Sequence, residues 1–364
     1  EKEFKKNLKD KKQDDYIYPV YEIERTGLDT FSCINILSKK NRIAISNFRT
    51  LGLKDRKTKA TQLVFLKSGL LKNNSNISIS LLGWSNHLPT RRVLVGNRFD
   101  IKITNIKSNN AINNSILSKS FIEFDLHRLP NYYGHQRFGI RRINHLIGKS
   151  IVREHFEQGI LLYLTHISDY ENDEITSWRK ELYNNQNYDQ ALKDIPPQLR
   201  YEKQILLSKD LKKAYKIFSL KLRRFFINSY QSYLYNLLIS KRIEKGLSLN
   251  HPEHGDYIKT IKNGDIRKVN NKTDDNESRI LIPIFGYGYR ESVGEQGKIE
   301  KELLREENLD PKSFYIKTSP ELSCRSTFRS SNLKVCNLKI NEKVSTDINL
   351  SFSLEKGSYA TMFL

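Results

Sequence analysis

The chain has 364 residues, with 62 Lys+Arg against 41 Asp+Glu and a formal net charge of +21 at pH 7. Its 38% hydrophobic and 10% aromatic content excludes wholesale disorder, and its length points to two domains. No apolar run approaches the ~20 residues of a membrane-spanning helix, no signal-peptide pattern opens the chain, and three scattered cysteines (Cys33, Cys324, Cys336) argue for a reducing compartment and against a disulfide framework or a Cys-x-x-Cys metal site.

Residues 1–15 are almost all charged or polar and read as a mobile lead-in. Residues 16–25 (YIYPVYEIER) read as a strand, with Pro19 marking an edge or a bulge. Asp29 or Thr30 can cap a short helix that carries Phe31, Ile34 and Leu37 inward. Strands follow at 61–67 and 98–106, the latter with Phe99, Ile101 and Ile103 on one face. Helices are expected over 110–126 and 143–157, on either side of the Gly- and Pro-containing loop 129–139. From about 160 to 250 the chain reads as mostly helical, interrupted by a polar stretch at 184–198. The clearest helix spans 208–245, where Phe226, Tyr230, Tyr233, Leu234 and Leu237 form one core-facing stripe. Residues 266–279 read as a polar, mobile loop, and the final stretch returns to strand-like alternation. The mixture without regular βαβ repetition predicts an α+β fold in which one domain is inserted into another. The chain starts at Glu1 and its one methionine is Met362, so residues upstream of Glu1 are expected in the natural protein.

A surplus of 21 positive charges favours a polyanion. The basic residues recur in pairs or beside aromatics: Arg91-Arg92, Asn97-Arg98-Phe99, Gln136-Arg137-Phe138 and Arg141-Arg142. Cations that neutralise phosphates, mixed with rings that stack on unpaired bases, suit RNA better than duplex DNA. In Gly52-Leu53-Lys54-Asp55-Arg56-Lys57-Thr58-Lys59-Ala60-Thr61-Gln62, Asp55 is surrounded by Lys54, Arg56, Lys57 and Lys59, which would hold its carboxylate ionised. By its chemistry alone such an Asp is a nucleophile, a general base, a metal ligand or a salt-bridge partner. Two weaker patterns read as loops. Gly286-Tyr287-Gly288 lacks the third glycine of a dinucleotide fingerprint, and His251-Pro252-Glu253-His254 has no third ligand nearby.

The Gly52–Gln62 segment resembles the motif that carries the nucleophilic aspartate in the TruD family of pseudouridine synthases. Five further segments are similar to that family, in family order: Ile23–Thr30, Gly96–Phe99, Pro130–Gly139, Tyr230–Asn236 and Gly357–Thr361. The resemblance implies an α+β pseudouridine synthase domain with a mixed or antiparallel sheet, formed by 1–150 and 320–364. It implies an inserted, largely helical α+β domain over 151–319, with RNA in the basic cleft between the two domains. It makes Asp55 the nucleophile or base that acts on a flipped-out uridine. Tyr133 and Tyr359 fall where the family usually has phenylalanines against the uridine, and Asn131 where it has a base- or ribose-contacting asparagine. Lys54, Arg56, Arg91, Arg92, Arg98, Arg137, Arg141 and Arg142 are the expected RNA-binding residues, with Arg98 and Arg137 read either as phosphate contacts or as braces for Asp55. The family's active-site lysine and a neighbouring phenylalanine fall before Glu1. The implied activity is tRNA uridine isomerisation by a cytoplasmic monomer with no metal, no cofactor and no obligate protein partner. The rival readings are a non-catalytic RNA-binding protein or RNA chaperone on the same scaffold, and a metal-dependent nuclease.

Overall fold

Alternating Tyr, Val and Ile residues dictate the first strand, β1 (Tyr18–Thr26), whose apolar side chains fill a core beneath the first helix. The computed structural model describes residues 7–52, 54, 56, 58–72, 75–90, 94–104, 129–261, 264–270, 278–344 and 347–364. The helix expected at 110–126 lies outside the described residues. The fold is α+β with antiparallel sheets, and the chain divides into two units, Glu1–Gly96 and Asn97–Leu364.

In the first unit, β1 is followed by α1 (Thr30–Asn41), β2 (Phe48–Thr50), β3 (Lys59–Leu66) and β4 (Ile77–Ser85). The sheet order is β2-β3-β1-β4, so β1 is an interior strand and the edge reading of Pro19 is corrected. A register shift between Val20 and Tyr21 is the bulge that the proline also allowed. Asp29 caps α1, its Oδ1 accepting from the backbone N–H of Phe31 at 2.8 Å and of Ser32 at 2.9 Å. Thr30, Cys33, Ile34 and Leu37 form the buried stripe, whereas Phe31, expected inward, is 60% exposed. The 100° step of the helix turns position 31 away once Thr30 faces inside. The lead-in is also less free than its composition suggests. Lys9 exchanges two backbone hydrogen bonds with Trp84, at 3.1 and 2.8 Å.

β5 (Gly96–Ile103), all but its first residue in the second unit, is followed there by α2 (Asn144–Val152), α3 (Phe156–Thr165), α4 (Asp173–Asn185), α5 (Tyr188–Lys193), α6 (Arg200–Ser208), α7 (Leu211–Ala214) and α8 (Leu220–Glu244). Then come β6 (Tyr257–Thr260), β7 (Ile266–Lys268), β8 (Ser278–Ile284), α9 (Gly294–Glu306), β9 (Thr327–Ser330), β10 (Val335–Val344) and β11 (Asp347–Glu355). Two sheets form, ordered β10-β11-β5 and β7-β6-β8-β9. In the first, Phe99 of β5 stacks on Phe352 of β11 at 5.4 Å, while Ile103 at the strand end is exposed.

Two long helices of the sequence reading break. The expected 143–157 helix ends at Val152 because Glu154 takes a left-handed φ of 57°, and α3 starts afresh at Phe156. The expected 208–245 helix starts only at Leu220, where Ser219 caps it by accepting from Leu222 N–H at 3.3 Å. The polar stretch 184–198 contains α5, held by Trp178 Nε1 donating to Ala191 O at 2.9 Å. Part of the expected 266–279 loop is β7, paired with β6, and 271–277 lie outside the described residues.

The helical core runs from Ile143 to Leu322 and is organised around α8, whose Phe226, Ile227, Tyr230, Leu234 and Leu238 are buried. α2 crosses α8 at Gly148, where a Cβ would meet Phe226 O at 2.1 Å, so only glycine lets the two backbones approach this closely. Gly148→Ala is therefore expected to lower unfolding stability by about 3 kcal/mol, the upper end for overpacking. Gly159→Ala, whose Cβ would meet Ser150 Cβ at 3.3 Å, should shift it much less. Urea unfolding of both variants checks this, and an unchanged midpoint for Gly148→Ala would contradict the close crossing.

Candidate functional site

In the first unit the Asp55 segment is approached by a buried polar network. Alternation along β1 puts Arg25 on the inward face after Tyr21 and Ile23, and the same rule puts Gln62 of β3 inside. Arg25 is 2% and Gln62 5% exposed. Arg25 donates from Nε to Leu28 O at 3.1 Å and from Nη2 to Thr30 Oγ1 at 2.9 Å and Gln62 Oε1 at 3.0 Å. Gln62 Nε2 donates to Leu51 O at 3.1 Å and Gly52 O at 3.0 Å, and Thr30 Oγ1 accepts from the backbone N–H of Lys54 at 2.9 Å. The amide of Gln62 thus uses both donors, and its oxygen accepts from Arg25 and, at 3.3 Å, from Thr30. Three side chains fix the turn that leads to Asp55, which itself lies outside the described residues, as does Lys57. Arg56 is exposed. Lys59, read as one of the cations around Asp55, instead pairs with Glu24 at 2.9 Å.

In the second unit the segments carrying Asn131, Tyr133 and Tyr359 meet. Asn236 of α8 grips the backbone of Tyr133 from both sides, accepting its N–H at 2.9 Å and donating to its carbonyl at 3.1 Å. The Tyr133 ring lies edge-on to Tyr235 at 5.4 Å and to Tyr359 at 6.0 Å. A Cβ at Gly134 would meet Thr361 Oγ1 at 2.8 Å and Tyr359 Cδ1 at 2.9 Å, so glycine there permits the contact of the two segments. Asn131, 6% exposed, donates to Ser330 O at 3.1 Å and accepts from Arg329 at 2.8 Å and Ser358 at 3.2 Å. Its amide oxygen thus accepts twice and its amide nitrogen donates once within the protein, so the side chain joins the segments. Burial raises the Tyr359 hydroxyl above the ordinary tyrosine value, so it stays protonated at neutral pH.

The expected RNA-binding arginines divide. Arg98 is exposed, pairing with Asp100 at 3.1 Å along β5, and Arg142 is exposed with its guanidinium 4.4 Å from the Tyr170 ring. Arg137 is taken up by the protein. It donates to Ser232 Oγ at 2.9 Å and lies 5.4 Å from the Tyr133 ring and 5.3 Å from Phe225. Arg141 corrects the sequence reading more sharply, because its side chain is only 11% exposed. It donates to Tyr163 O at 2.8 Å beside the Tyr163 ring, so it braces helices instead of facing RNA. Arg91 and Arg92 lie outside the described residues.

Sequence reasoning missed Arg25, Asn236 and Arg329. The alternation Tyr21, Ile23, Arg25 was a usable signal for the first; Arg329, in the short strand β9, follows no apolar period. Next to the Tyr133 cluster, a cavity of about 260 Å³ is lined by Phe138, Arg142, His145, Tyr233, Asn236 and Leu237. His145 stacks on Tyr233 at 4.5 Å, and burial pushes its pKa down to about 4. Among the described residues no three His, Cys, Asp or Glu side chains cluster as metal ligands, and no helix is long and apolar enough to cross a membrane. The Gly286–Gly288 and His251–His254 segments are loops, as read.

The family profile described as tRNA pseudouridine synthase D (TruD) matches residues 1–364. A Thermococcus sibiricus protein named "Probable tRNA pseudouridine synthase D" is 32% identical over 94% of this chain and 86% of its own length. A Methanococcoides burtonii protein of the same name is 29% identical over 95% of this chain and 86% of its own length. The crystal structure of a Methanosarcina mazei protein titled "Putative tRNA pseudouridine synthase D (TruD)" superposes with a TM-score of 0.79 at 27% identity, covering 98% of this chain and 88% of that one.

The His145 environment gives a pH test. An imidazole whose pKa falls from 6.5 to about 4 on folding stabilises the fold fully above the unfolded value, and loses that contribution as pH falls toward 4. Unfolding midpoints measured from pH 7 to pH 4 should decline for the wild type, and His145→Phe, which keeps the stack on Tyr233, should flatten the decline. Parallel profiles would contradict the buried neutral imidazole.

Proposed function

The chain belongs to the TruD family of tRNA pseudouridine synthases, and from that membership we propose which of its residues carry the chemistry. The protein is an isomerase that converts uridine of tRNA to pseudouridine. Nothing observed favours a non-catalytic RNA-binding role.

The reaction breaks the glycosidic bond between ribose and uracil N1, turns the base, and rejoins it to the sugar through carbon 5, whose hydrogen is lost. What this demands is one ionised carboxylate shielded from water and a site that holds a base outside its stack. Asp55 is the carboxylate, acting on the anomeric carbon, on carbon 6 of the base or on a sugar proton. The observation that carries this assignment is the match of Gly52–Gln62 to the family's motif, and the Arg25–Thr30–Gln62 network supports it by fixing Leu51, Gly52 and Lys54 immediately before Asp55. Fixing the backbone ahead of a reacting carboxylate is a form of pre-organisation, from which enzymes gain much of their rate.

Extracting the uridine from its stack costs a few kcal/mol, which aromatic contacts at about 1–3 kcal/mol per base offset. Tyr133 and Tyr359 supply those rings, and Asn131 holds their segments for the base. Lys54, Arg56, Arg91, Arg92, Arg98 and Arg142 contact phosphates. Residues 1–150 and 320–364 form the catalytic domain and 151–319 the inserted one. The pairing of the two flanking stretches is supported by a core that joins Phe99 and Ile101 to Leu333, Leu350 and Phe352, and a helical core of its own, spanning Ile143–Leu322, supports a separate middle part. The enzyme works as a cytoplasmic monomer with no obligate protein partner.

The test uses tRNA carrying tritium at uracil carbon 5. Wild type should release the label, whereas Asp55→Ala should release none while its tRNA affinity stays within about threefold, as expected for a group needed only in the chemical step. Equal release by both proteins would refute the assignment of Asp55.

A further inference from the structure

Arg329 holds the Tyr133 cluster together through every part of its guanidinium. Nε donates to Asn131 O at 3.0 Å, Nη2 to Asn131 Oδ1 at 2.8 Å, and Nη1 to Gly357 O at 2.8 Å. The same planar group lies 4.1 Å from the Tyr133 ring centroid and 5.5 Å from that of Tyr235. One residue on β9 therefore binds the Pro130–Gly139 loop, the Gly357–Tyr359 turn and a ring of α8. Among the described residues no carboxylate pairs with it, so its partners are neutral oxygens and π faces. Its charge is left unneutralised beside Tyr133.

We propose that Arg329 is a positioning residue for pseudouridylation, setting Tyr133, Asn131 and the Tyr359 turn at the spacing that holds the extruded uridine. The proposal rests on the reading of Tyr133 and Tyr359 as the uridine platform. Removing the side chain would leave the buried carbonyl of Asn131 without its donor and free the loop and turn to separate. A lysine cannot replace it, because one ammonium on a flexible stem cannot donate in three fixed directions while lying flat on a ring.

The experiment measures single-turnover tritium release at saturating enzyme, tRNA affinity by filter binding and thermal unfolding. The proteins compared are wild type, Arg329→Ala, Arg329→Lys, Tyr133→Ala and the Arg329→Ala/Tyr133→Ala double variant. Arg329→Ala should slow the chemical step by about 100-fold, the scale of a misplacement near 1 Å. Its tRNA affinity should stay within about threefold, because the loss falls on the reacting geometry rather than on phosphate contacts. Arg329→Lys should remain as slow as Arg329→Ala and stay folded, which separates positioning from mere charge. The losses from Arg329→Ala and Tyr133→Ala should not multiply in the double variant, as for two groups that act as one unit. A wild-type rate for Arg329→Ala, rescue by Arg329→Lys, multiplying losses, or a fall in rate and affinity that tracks a collapse of the unfolding temperature would each overturn the proposal. Tyr133→Ala at the wild-type rate would instead refute the platform reading. A slow Tyr133→Ala beside a fully active Arg329→Ala would refute only the role of Arg329.

Discussion

A guanidinium removed from water must find an oxygen for its N–H groups, and this requirement ties the loops of the protein to its sheets and helices. The described arginines meet it in two ways. Arg242 is fully buried and grips Asp256 through two nitrogens at 2.8 and 2.7 Å, and Arg179 is held between Glu171 and Glu202, each at 2.8 Å. These two brace the helical part with their charges cancelled. Arg25 and Arg329 are bonded to carbonyl, hydroxyl and amide oxygens, and each ends at a segment that the family resemblance marks as functional. Neutral acceptors satisfy the donors but leave the positive charge uncancelled, which is useful where the substrate is a polyanion.

The same division revises what the net charge means. A surplus of +21 suggests a surface covered with phosphate contacts. Yet Arg141 sits under Tyr163, Arg137 bonds to α8, and Lys59 is neutralised by Glu24. Basic residues in aromatic company were read as RNA-binding because cations and rings both suit nucleic acid. The cation–π pairing that this composition encodes is partly internal, a way of packing arginine against tyrosine inside the fold.

Much of the fold was legible because periodicity reports burial directly. The strands around Tyr18–Thr26, Lys59–Leu66 and Gly96–Ile103, and the buried Phe226, Tyr230 and Leu234 of α8, lie where alternation and 3.6-residue spacing put them, whereas Tyr233 and Leu237 of the same expected stripe are half-buried. The misses have local causes. Nothing in composition announces that Glu154 turns left-handed, and Ser219, a residue suited to capping, sits in a run that remains helix-compatible on both sides. Phe31 points outward because Thr30 is needed inside by Arg25 and Gln62, and a hydroxyl's tertiary role has no periodic signature. At the site, the family resemblance marked Tyr133, Asn131 and Tyr359, whose segments do meet. It gave no role to Asn236, whose segment it had matched, and it passed over Arg329, because a strand of four residues is too short to show a pattern and its partners come from distant parts of the chain.

The claim on which the rest depends is that a pinned turn delivers one carboxylate, Asp55, to a uridine taken out of its stack. It is tested most directly by incubating the purified protein with unmodified tRNA transcripts and mapping pseudouridine, nucleotide by nucleotide, through carbodiimide adducts that stop reverse transcriptase. Wild-type protein should create a discrete stop at a uridine, and Asp55→Asn should create none. Transcripts that are bound yet stay free of new stops with the wild-type protein, or a stop that persists with Asp55→Asn, would contradict it.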